Sequence, residues 1–487
     1  MKRHLYLWHR WLGIALCLFM ALWFVSGIVM LYVGYPKLTQ AERLQHQAPL
    51  ACGAGCVSPA QALQAAGGEP PRSLRLAQVA GQPRYLLGYA SGNRAVDARS
   101  GQVLDGVGSA EALGIARHFG GAEADHLGLV EEDLWSHSRA LDADRPLHRV
   151  QLRDAAGTQL YLSSRTGEVV RDASAHERAW NLLGAWLHWL YPLRGGWLDG
   201  AWSNIVIYLA LAATLMALLG MVVGLLRWRF SKPYRSGSRS PYPSGFGRWH
   251  HISGLLFGTL LVLWIFSGLM SMRPWHLTEG RSALTPAAFQ GAPLNAAALQ
   301  GDLADALQRL EQSGLAPVEL EWRMLGGHAY LSALDAQGNS RVLPLDGTGP
   351  ALERLPQATL EAAAPIPVAH AEWLQHYDAY YYARGDASMY GGQPRRLPML
   401  RLQFEDDGHS WVHLDPHTGA VLDVLDGNRR AGRWLFNLLH SWDWPPLLER
   451  PLLREALVIG FSLGGLAICL SGVVIGWRRL RPRRRRR

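Results

Sequence analysis

Nineteen histidines are spread over this 487-residue chain, and four of them recur as two pairs when the chain is compared with itself. His9 stands in Trp8-His9-Arg10-Trp11-Leu12-Gly13, and His250 stands 241 residues later in Trp249-His250-His251-Ile252-Ser253-Gly254. His188 and His440 are 252 residues apart. Neutral imidazole is a common metal ligand. Two imidazoles approaching one iron from opposite faces form the axial pair of a six-coordinate haem b inside a helical bundle. The four histidines therefore point to two bis-histidine haem b sites, His9 with His250 and His188 with His440, each pair ligating haem iron.

The neighbours suit that chemistry. Gly13 and Gly254 follow their histidines by four residues, on the same helical face. A missing side chain there lets a flat porphyrin lie against the backbone. His251 has no counterpart in the other half and is the second-choice ligand. The plainer reading is a histidine that caps or lines a helix mouth. Small residues at Ser26-Gly27, Ser267-Gly268 and Ser471-Gly472 also serve close helix approach without any cofactor.

Elements long enough to position these residues are easy to find. Trp11–Tyr35, Ala201–Leu226, Ile252–Met272 and Ala456–Trp477 are uncharged, and each exceeds the ~20 residues that cross a bilayer as a helix. The first run is too long for a secretory signal and no small-residue cleavage site follows it, so it is expected to remain as an anchor. Trp23, Ser26 and Gly27 fall in register with Trp264, Ser267 and Gly268.

Charge orients the spans. Residues 1–10, 227–248 and 478–487 hold 17 of the 48 Lys and Arg and no Asp or Glu; the other 31 basic residues face 39 acidic ones. Basic flanks on alternate sides of four helices place both termini and the 227–248 loop in the cytoplasm and the two long segments outside. The net charge of +9 is thus a topology signal near anionic lipid, including the Arg483–Arg487 tail, and not a nucleic-acid footprint. Cys17 and Cys469 fall inside spans and read as small apolar packers. Cys52 and Cys56 sit in an external loop where a local disulfide is favoured, and no His follows Cys56, so c-type haem attachment is not supported.

The external segments alternate like strands. Arg84–Tyr89, Pro146–Leu152 and Thr158–Leu162 are such runs, the last leading into the turn Arg165-Thr166-Gly167. A shift of 252 residues lays Pro146, Arg149, Gln151, Asp154, Leu162, Thr166, Gly167 and Val169 on Pro398, Arg401, Gln403, Asp406, Leu414, Thr418, Gly419 and Val421. It also lays Gly220, Val222 and Gly224 on Gly472, Val474 and Gly476. Two spans per unit make the halves parallel repeats about an axis along the membrane normal.

With these features together, the chain resembles the PepSY-associated transmembrane proteins, which include bacterial inner-membrane reductases of ferric siderophores. The resemblance rests on His9-Arg10-Trp11-Leu12-Gly13, Thr166-Gly167-Glu168-Val169, Asp415-Pro416-His417-Thr418-Gly419, Leu187-His188, Leu439-His440 and the glycine-bearing ends of the second and fourth spans. It covers nearly the whole chain. It implies haem b, electron transfer across the membrane and external PepSY-type domains. The first hairpin departs from the pattern, with Ser163-Ser164-Arg165 where the second has Asp415-Pro416-His417.

The expected fold is an α-helical integral membrane protein with four transmembrane helices in two parallel repeats, plus two periplasmic α+β PepSY-like domains. Its parts are the N-terminus and first span (1–35), a periplasmic domain (36–177), an interfacial helix with His188 (178–200), the second span (201–228) and a cytoplasmic loop (229–248). The second half continues with the third span (249–272), a periplasmic domain (273–431), an interfacial helix with His440 (432–455), the fourth span (456–477) and a basic tail (478–487).

The expected activity is reduction of a periplasmic ferric siderophore or other ferric chelate through two haem b groups. No nucleotide fingerprint appears and the 229–248 loop is too short for a flavin domain, so an unidentified donor protein or quinol supplies the electrons. His376, Tyr377, Tyr380, Tyr381, Tyr382 and Tyr390, followed by Arg395-Arg396, form a candidate surface for an anionic chelate, with Tyr380, Tyr382, Arg395 and Arg396 as substrate-binding residues. Tyrosine-rich strands are also ordinary sheet faces. His409 and His413 in one strand would lie ~13 Å apart, too far for one ion. Alternatives are a cofactor-free PepSY membrane protein that binds or regulates a periplasmic protein, and a transporter, which the uncharged spans disfavour.

Overall fold

Uncharged sequence and helix coincide in four places. The computed structural model describes residues 2–52, 55–194, 196–389 and 391–481. In it, helices Lys2–Val29, Asp199–Arg227, Gly245–Ser271 and Pro451–Leu480 are long and apolar enough to cross a membrane. Tyr390 and the tail from Pro482 onward lie outside the described residues. Every long helix exceeds its uncharged stretch at one end or both, because basic residues extend it beyond the hydrocarbon. The first ends earlier than the uncharged run, at Val29 rather than Tyr35. There the chain must turn for Gly34 to meet Asn181, whose Nδ2 donates to the Gly34 carbonyl at 3.1 Å.

The four helices pack in a closed ring, first against fourth, fourth against third, third against second and second against first. The first and third therefore face each other across it. Leu16, Met20, Phe24, Ala213, Met216, Leu261, Trp264, Ile265 and Ile468 fill the centre. Cys17 and Cys469 are free and buried.

Between the first and second long helices lie β1 (Ser73–Val79), β2 (Gln82–Tyr89), β3 (Gly92–Asp97), β4 (Ala124–Val130), β5 (Leu147–Leu152), β6 (Gln159–Ser163) and β7 (Val169–Ala173). Between the third and fourth lie β8 (Glu319–Leu325), β9 (His328–Leu334), β10 (Ser340–Pro344), β11 (His370–Leu374), β12 (Met399–Gln403), β13 (Trp411–Asp415) and β14 (Ala420–Leu425). Each half makes a three-strand and then a four-strand antiparallel meander. The four-strand sheets run β4-β5-β6-β7 and β11-β12-β13-β14. Gly167 and Gly419 take positive φ, +80° and +71°, at their last hairpins, and a register shift follows Tyr161 in one and His413 in the other.

The three-strand meanders link the two segments expected to be external, 36–177 and 273–431. They join edge to edge into one sheet, β10-β9-β8-β1-β2-β3, with Leu74 opposite Trp322 and Leu76 opposite Leu320. An isolated meander would leave a row of unpaired amides at its edge, and pairing β1 with β8 satisfies both rows at once. It also merges the cores: Leu74, Tyr85 and Leu87 pack in one cluster with Leu320, Trp322 and Leu331. Beside the seam, Glu319 accepts from Arg43 and, at 2.8 Å, from Arg75, which also holds Glu168 at 2.7 Å. Cys52 and Cys56 form the local disulfide.

The segments expected as interfacial helices are broken ones. Ala175–Asn181 runs into a wide π-type turn over Leu182–Trp186 and then Leu190 in the left-handed region. Gly427–Gly432 runs into a similar turn over Arg433–Leu438, then Leu439–Ser441 and left-handed Trp442. The extra residue in such turns re-aims the chain beyond it, here the segments carrying His188 and His440. The tyrosine-rich stretch is mostly not a strand: β11 stops at Leu374, and Tyr377 to Tyr382 lie in the loop after it.

Candidate functional site

Each of the two facing helices carries a histidine near its N-terminal end. His9 and His250 meet there, with ring centroids 6.2 Å apart and planes inclined by 32°. At the sheet-bearing end the two broken segments bring in His188 and His440, centroids 6.0 Å apart and planes at 68°. Both pairs read from the sequence are assembled. His9 to Ser26, beside His188, is 17 residues of one helix, so the pairs are ~25 Å apart along it.

Hydrogen bonding decides which nitrogen of each ring is free. His9 Nδ1 lies 3.3 Å from the Met216 carbonyl oxygen, and His250 Nδ1 lies 3.0 Å from that of Ile468. A carbonyl only accepts, so both Nδ1 atoms carry the proton. His440 Nδ1 lies 3.2 Å from the Trp264 carbonyl and 3.1 Å from Ser267 Oγ. His188 Nδ1 lies 2.9 Å from Ser26 Oγ, whose own proton goes to the Trp23 carbonyl at 3.0 Å, so the oxygen accepts from the ring. The network assigns all four rings the Nδ1–H tautomer, with the Nε2 lone pair available as a ligand. Among the described residues no protein hydrogen bond reaches any of these Nε2 atoms.

The indole N–H groups of Trp23 and Trp264 donate to the backbone carbonyls of His188 and His440, each at 3.0 Å. Glycines then set how closely helices approach the rings. A Cβ at Gly220 would lie 2.7 Å from His9 Cε1, and one at Gly472 would lie 3.3 Å from His250 Cε1. At Gly27 and Gly268 it would lie 3.7 and 3.4 Å from His188 and His440. Gly13 and Gly254 have space beside them: a Cβ at Gly13 would meet Cys17 Sγ at 3.8 Å, and one at Gly254 would meet nothing within 4 Å.

His251, the second-choice ligand, is already engaged at both nitrogens. Nδ1 lies 2.8 Å from Ser240 Oγ and Nε2 lies 2.9 Å from the Gly224 carbonyl. A ring that gives both nitrogens to the protein has no lone pair for iron, so His251 instead ties the loop after Arg227 to the bundle.

The paired rings fit a haem. A metal–nitrogen bond of ~2 Å and ~1.1 Å from nitrogen to ring centre, on both sides, places the centroids of two axial imidazoles ~6.2 Å apart. The described residues hold no group of three or more His, Cys, Asp and Glu that could bind an ion. An apolar cavity of about 400 Å³ borders Trp264, Leu439 and Trp442 beside His440.

The four residues expected at a substrate surface are not gathered on one. Tyr380 accepts from Trp434 Nε1 at 2.7 Å, and Tyr382 donates to Asp443 at 3.1 Å, so both tyrosines face the segment that carries His440. Arg395 and Arg396 line a polar cleft of about 470 Å³ with Arg43, Arg75, Glu319 and Arg323. Arg395 binds Asp423 and lies over the Tyr381 ring, and Arg396 donates to the Gly338 carbonyl at 2.6 Å. Burial alone would raise the Asp423 carboxyl, but its bonds to His413 and Arg395 outweigh it and hold the pKa down at about 2. His413 is fully buried against Asp423 and Arg401, and burial lowers its pKa. His409 lies in the turn before β13.

Ser26, Ser267 and Gly472, expected only to let helices approach closely, and Gly220, expected only as part of the repeat, lie against the ring histidines. The available signal was their duplication: each recurs at the same offset as a paired histidine.

Residues 6–323 match the family model described as the PepSY-associated TM region. A search of curated proteins returned no match.

Proposed function

The chain belongs to the PepSY-associated TM family, and from that premise we propose that it is a transmembrane haem b electron-transfer protein that reduces ferric siderophores or other ferric chelates. The observation that carries this reading is the arrangement of four imidazoles in two pairs at 6.2 and 6.0 Å, each with Nδ1 bonded and Nε2 free. His9 with His250 would hold one haem and His188 with His440 the other. Haem when bound supplies one-electron exchange between ferric and ferrous iron.

The chain's own residues do the rest. Met216, Ile468, Ser26 and Ser267 hold the ring tautomers, and Trp23 and Trp264 fix the backbone of the second pair. Met20, Phe24, Trp264 and their neighbours fill the bundle between the pairs and keep water out. Basic flanks support an inner-membrane orientation with both termini cytoplasmic, the sheets periplasmic and the halves as parallel repeats. Electrons would enter from the cytoplasmic side or the quinol pool and leave to a chelate in the periplasm, releasing ferrous iron.

The test is spectroscopic. Full-length protein should show reduced-minus-oxidised bands of bis-imidazole haem b at two per chain. His9→Ala or His250→Ala should remove one centre, and His188→Ala or His440→Ala the other. The reduced protein should reoxidise with ferric siderophore. Absence of haem from the purified protein would favour a cofactor-free role in binding a periplasmic protein, and mixed loss patterns would refute the pairing.

A further inference from the structure

Asp443, three residues after His440, has a fully buried side chain and is surrounded by arginines. Arg384 pairs with it, Arg454 Nη2 lies 3.7 Å from its Oδ1, and Arg433 donates to its backbone carbonyl. Tyr382 donates to it at 3.1 Å. Glu455 is the next acid acting on Arg454, so three guanidinium groups face two carboxylates. Arg433 Nη1 and Asp443 Oδ1 are each buried without a hydrogen-bond partner. A surplus of buried positive charge is costly unless an anion compensates it.

The other half of the chain shows that the charge of Arg454 is not needed to hold its backbone carbonyl. Arg454 Nε donates to the Ser441 carbonyl at 3.1 Å. At positions 252 residues earlier, Trp202 Nε1 donates to the Trp189 carbonyl at 2.8 Å. The same tether is made by a neutral indole. Arg433 corresponds to Asn181, which reaches the Gly34 carbonyl at 3.1 Å, and Asp443 corresponds to Tyr191. Near Tyr191 the first half has Arg194, with Asp199 at 3.9 Å, and buried Arg171, which donates to the Trp135 carbonyl. The cluster of three arginines about one buried carboxylate lies in the second half, beside the segment that carries His440.

We propose that Arg384, Arg433 and Arg454 form an oxyanion site beside His440 whose ligand is one propionate carboxylate of the haem held by His188 and His440, an inference that rests on the haem reading above. Guanidinium is the side chain best matched to a carboxylate, with paired donors in a fixed fork. A lipid phosphate offers the same oxyanion chemistry. Side chains only 12% and 13% exposed at Arg384 and Arg454 point to a partner within the protein instead of the headgroup layer. Positive charge here stabilises the reduced iron and raises the potential of that centre above what its ligands alone would set.

The experiment uses the full chain in nanodiscs, as wild type and as Arg433→Asn with Arg454→Trp, the residues at the equivalent positions of the other half. Each is stripped and reloaded with haem b or its dimethyl ester, and retention and midpoint potentials are read for both centres. Wild type should retain the ester at least ~10-fold less well at one centre only. The double variant should treat haem and ester alike at that centre and show a lower midpoint with haem b, the other centre being unchanged. Equal retention of haem and ester by wild type, or discrimination that persists in the variant, would overturn the site. A midpoint that instead tracks exchange of anionic for zwitterionic lipid would assign the arginines to phosphate and also overturn it. Wild type that takes up no haem b defeats the haem reading itself; wild type that holds two haems without discriminating the ester defeats this inference alone.

Discussion

Gly220→Ala should remove one haem centre while leaving the helix that carries it intact. The added Cβ would lie 2.7 Å from His9 Cε1 and 3.2 Å from Nδ1. Carbon–carbon contacts are comfortable at ~3.5 Å or more, so the ring must retreat by ~0.8 Å. It cannot retreat freely, because Nδ1 is tied to the Met216 carbonyl of the same second helix at 3.3 Å. Alanine in a helix interior gains ~1 kcal/mol over glycine, while overpacking costs ~1–3 kcal/mol, so net stability falls by ~0–2 kcal/mol. The ring position changes much more in relative terms, since a ligand displaced by most of an ångström loses ~10–100-fold in metal affinity. The assay is haem per chain by pyridine haemochrome with the difference spectrum, expected to fall from two to one with the second centre's bands unaltered. Gly254→Ala is the informative partner, because among the described residues nothing beyond its own helix backbone lies within 4 Å of its Cβ. It should raise apoprotein stability by up to ~1 kcal/mol and lose haem only if a macrocycle occupies that space. A Gly220→Ala protein with two haems and unshifted bands would refute the assignment of His9.

Three further outcomes rest on the same geometry. Ser26→Ala and Ser267→Ala remove acceptors from His188 and His440 Nδ1 and should weaken loading of the second centre ~10-fold, with the first unaffected in titrations of apoprotein. His251→Ala should keep both haems but release the loop after Arg227 to protease, because it cuts bonds to Ser240 and Gly224; loss of a haem would return His251 to the ligand set. Glu319 is held at about 2 because Arg75 and Arg43 outweigh the effect of burial. Its folded pKa lies below the ordinary 4.5, so its contribution of ~3 kcal/mol is complete above pH 4.5 and is lost as pH falls toward 2. Denaturant unfolding of the sheets across that range should show the slope, and Glu319→Gln should reduce it by the share of Glu319, leaving that of Asp423.

Much of this architecture is legible from local sequence. An uncharged run of some twenty residues has no other comfortable state than a spanning helix, so the four spans are set by composition, with ends misjudged where basic residues extend the helix or Gly34 needs the chain to turn. The strands around Gly167 and Gly419 are set by alternation and turn chemistry. The seam between β1 and β8 is not, since nothing in either strand says which edge will meet it. The tyrosines and arginines between Tyr377 and Arg396 look like one surface in the sequence because they are neighbours there. The loop after β11 instead sends Tyr380 and Tyr382 toward Trp434 and Asp443 and Arg395 into a separate cleft.

The same division holds at the histidines. Sequence alone determined that His9, His250, His188 and His440 come as two duplicated pairs, because duplication is a property of the chain's text. Tertiary structure alone decided that the members of each pair face each other at about 6 Å, and which nitrogen each leaves free. That choice depends on carbonyls and hydroxyls from other helices, Met216 for His9, Ile468 for His250, Ser26 for His188 and Ser267 for His440. Hydrogen bonds between residues more than 160 positions apart are set by how the helices pack, and no local pattern in the sequence carries them.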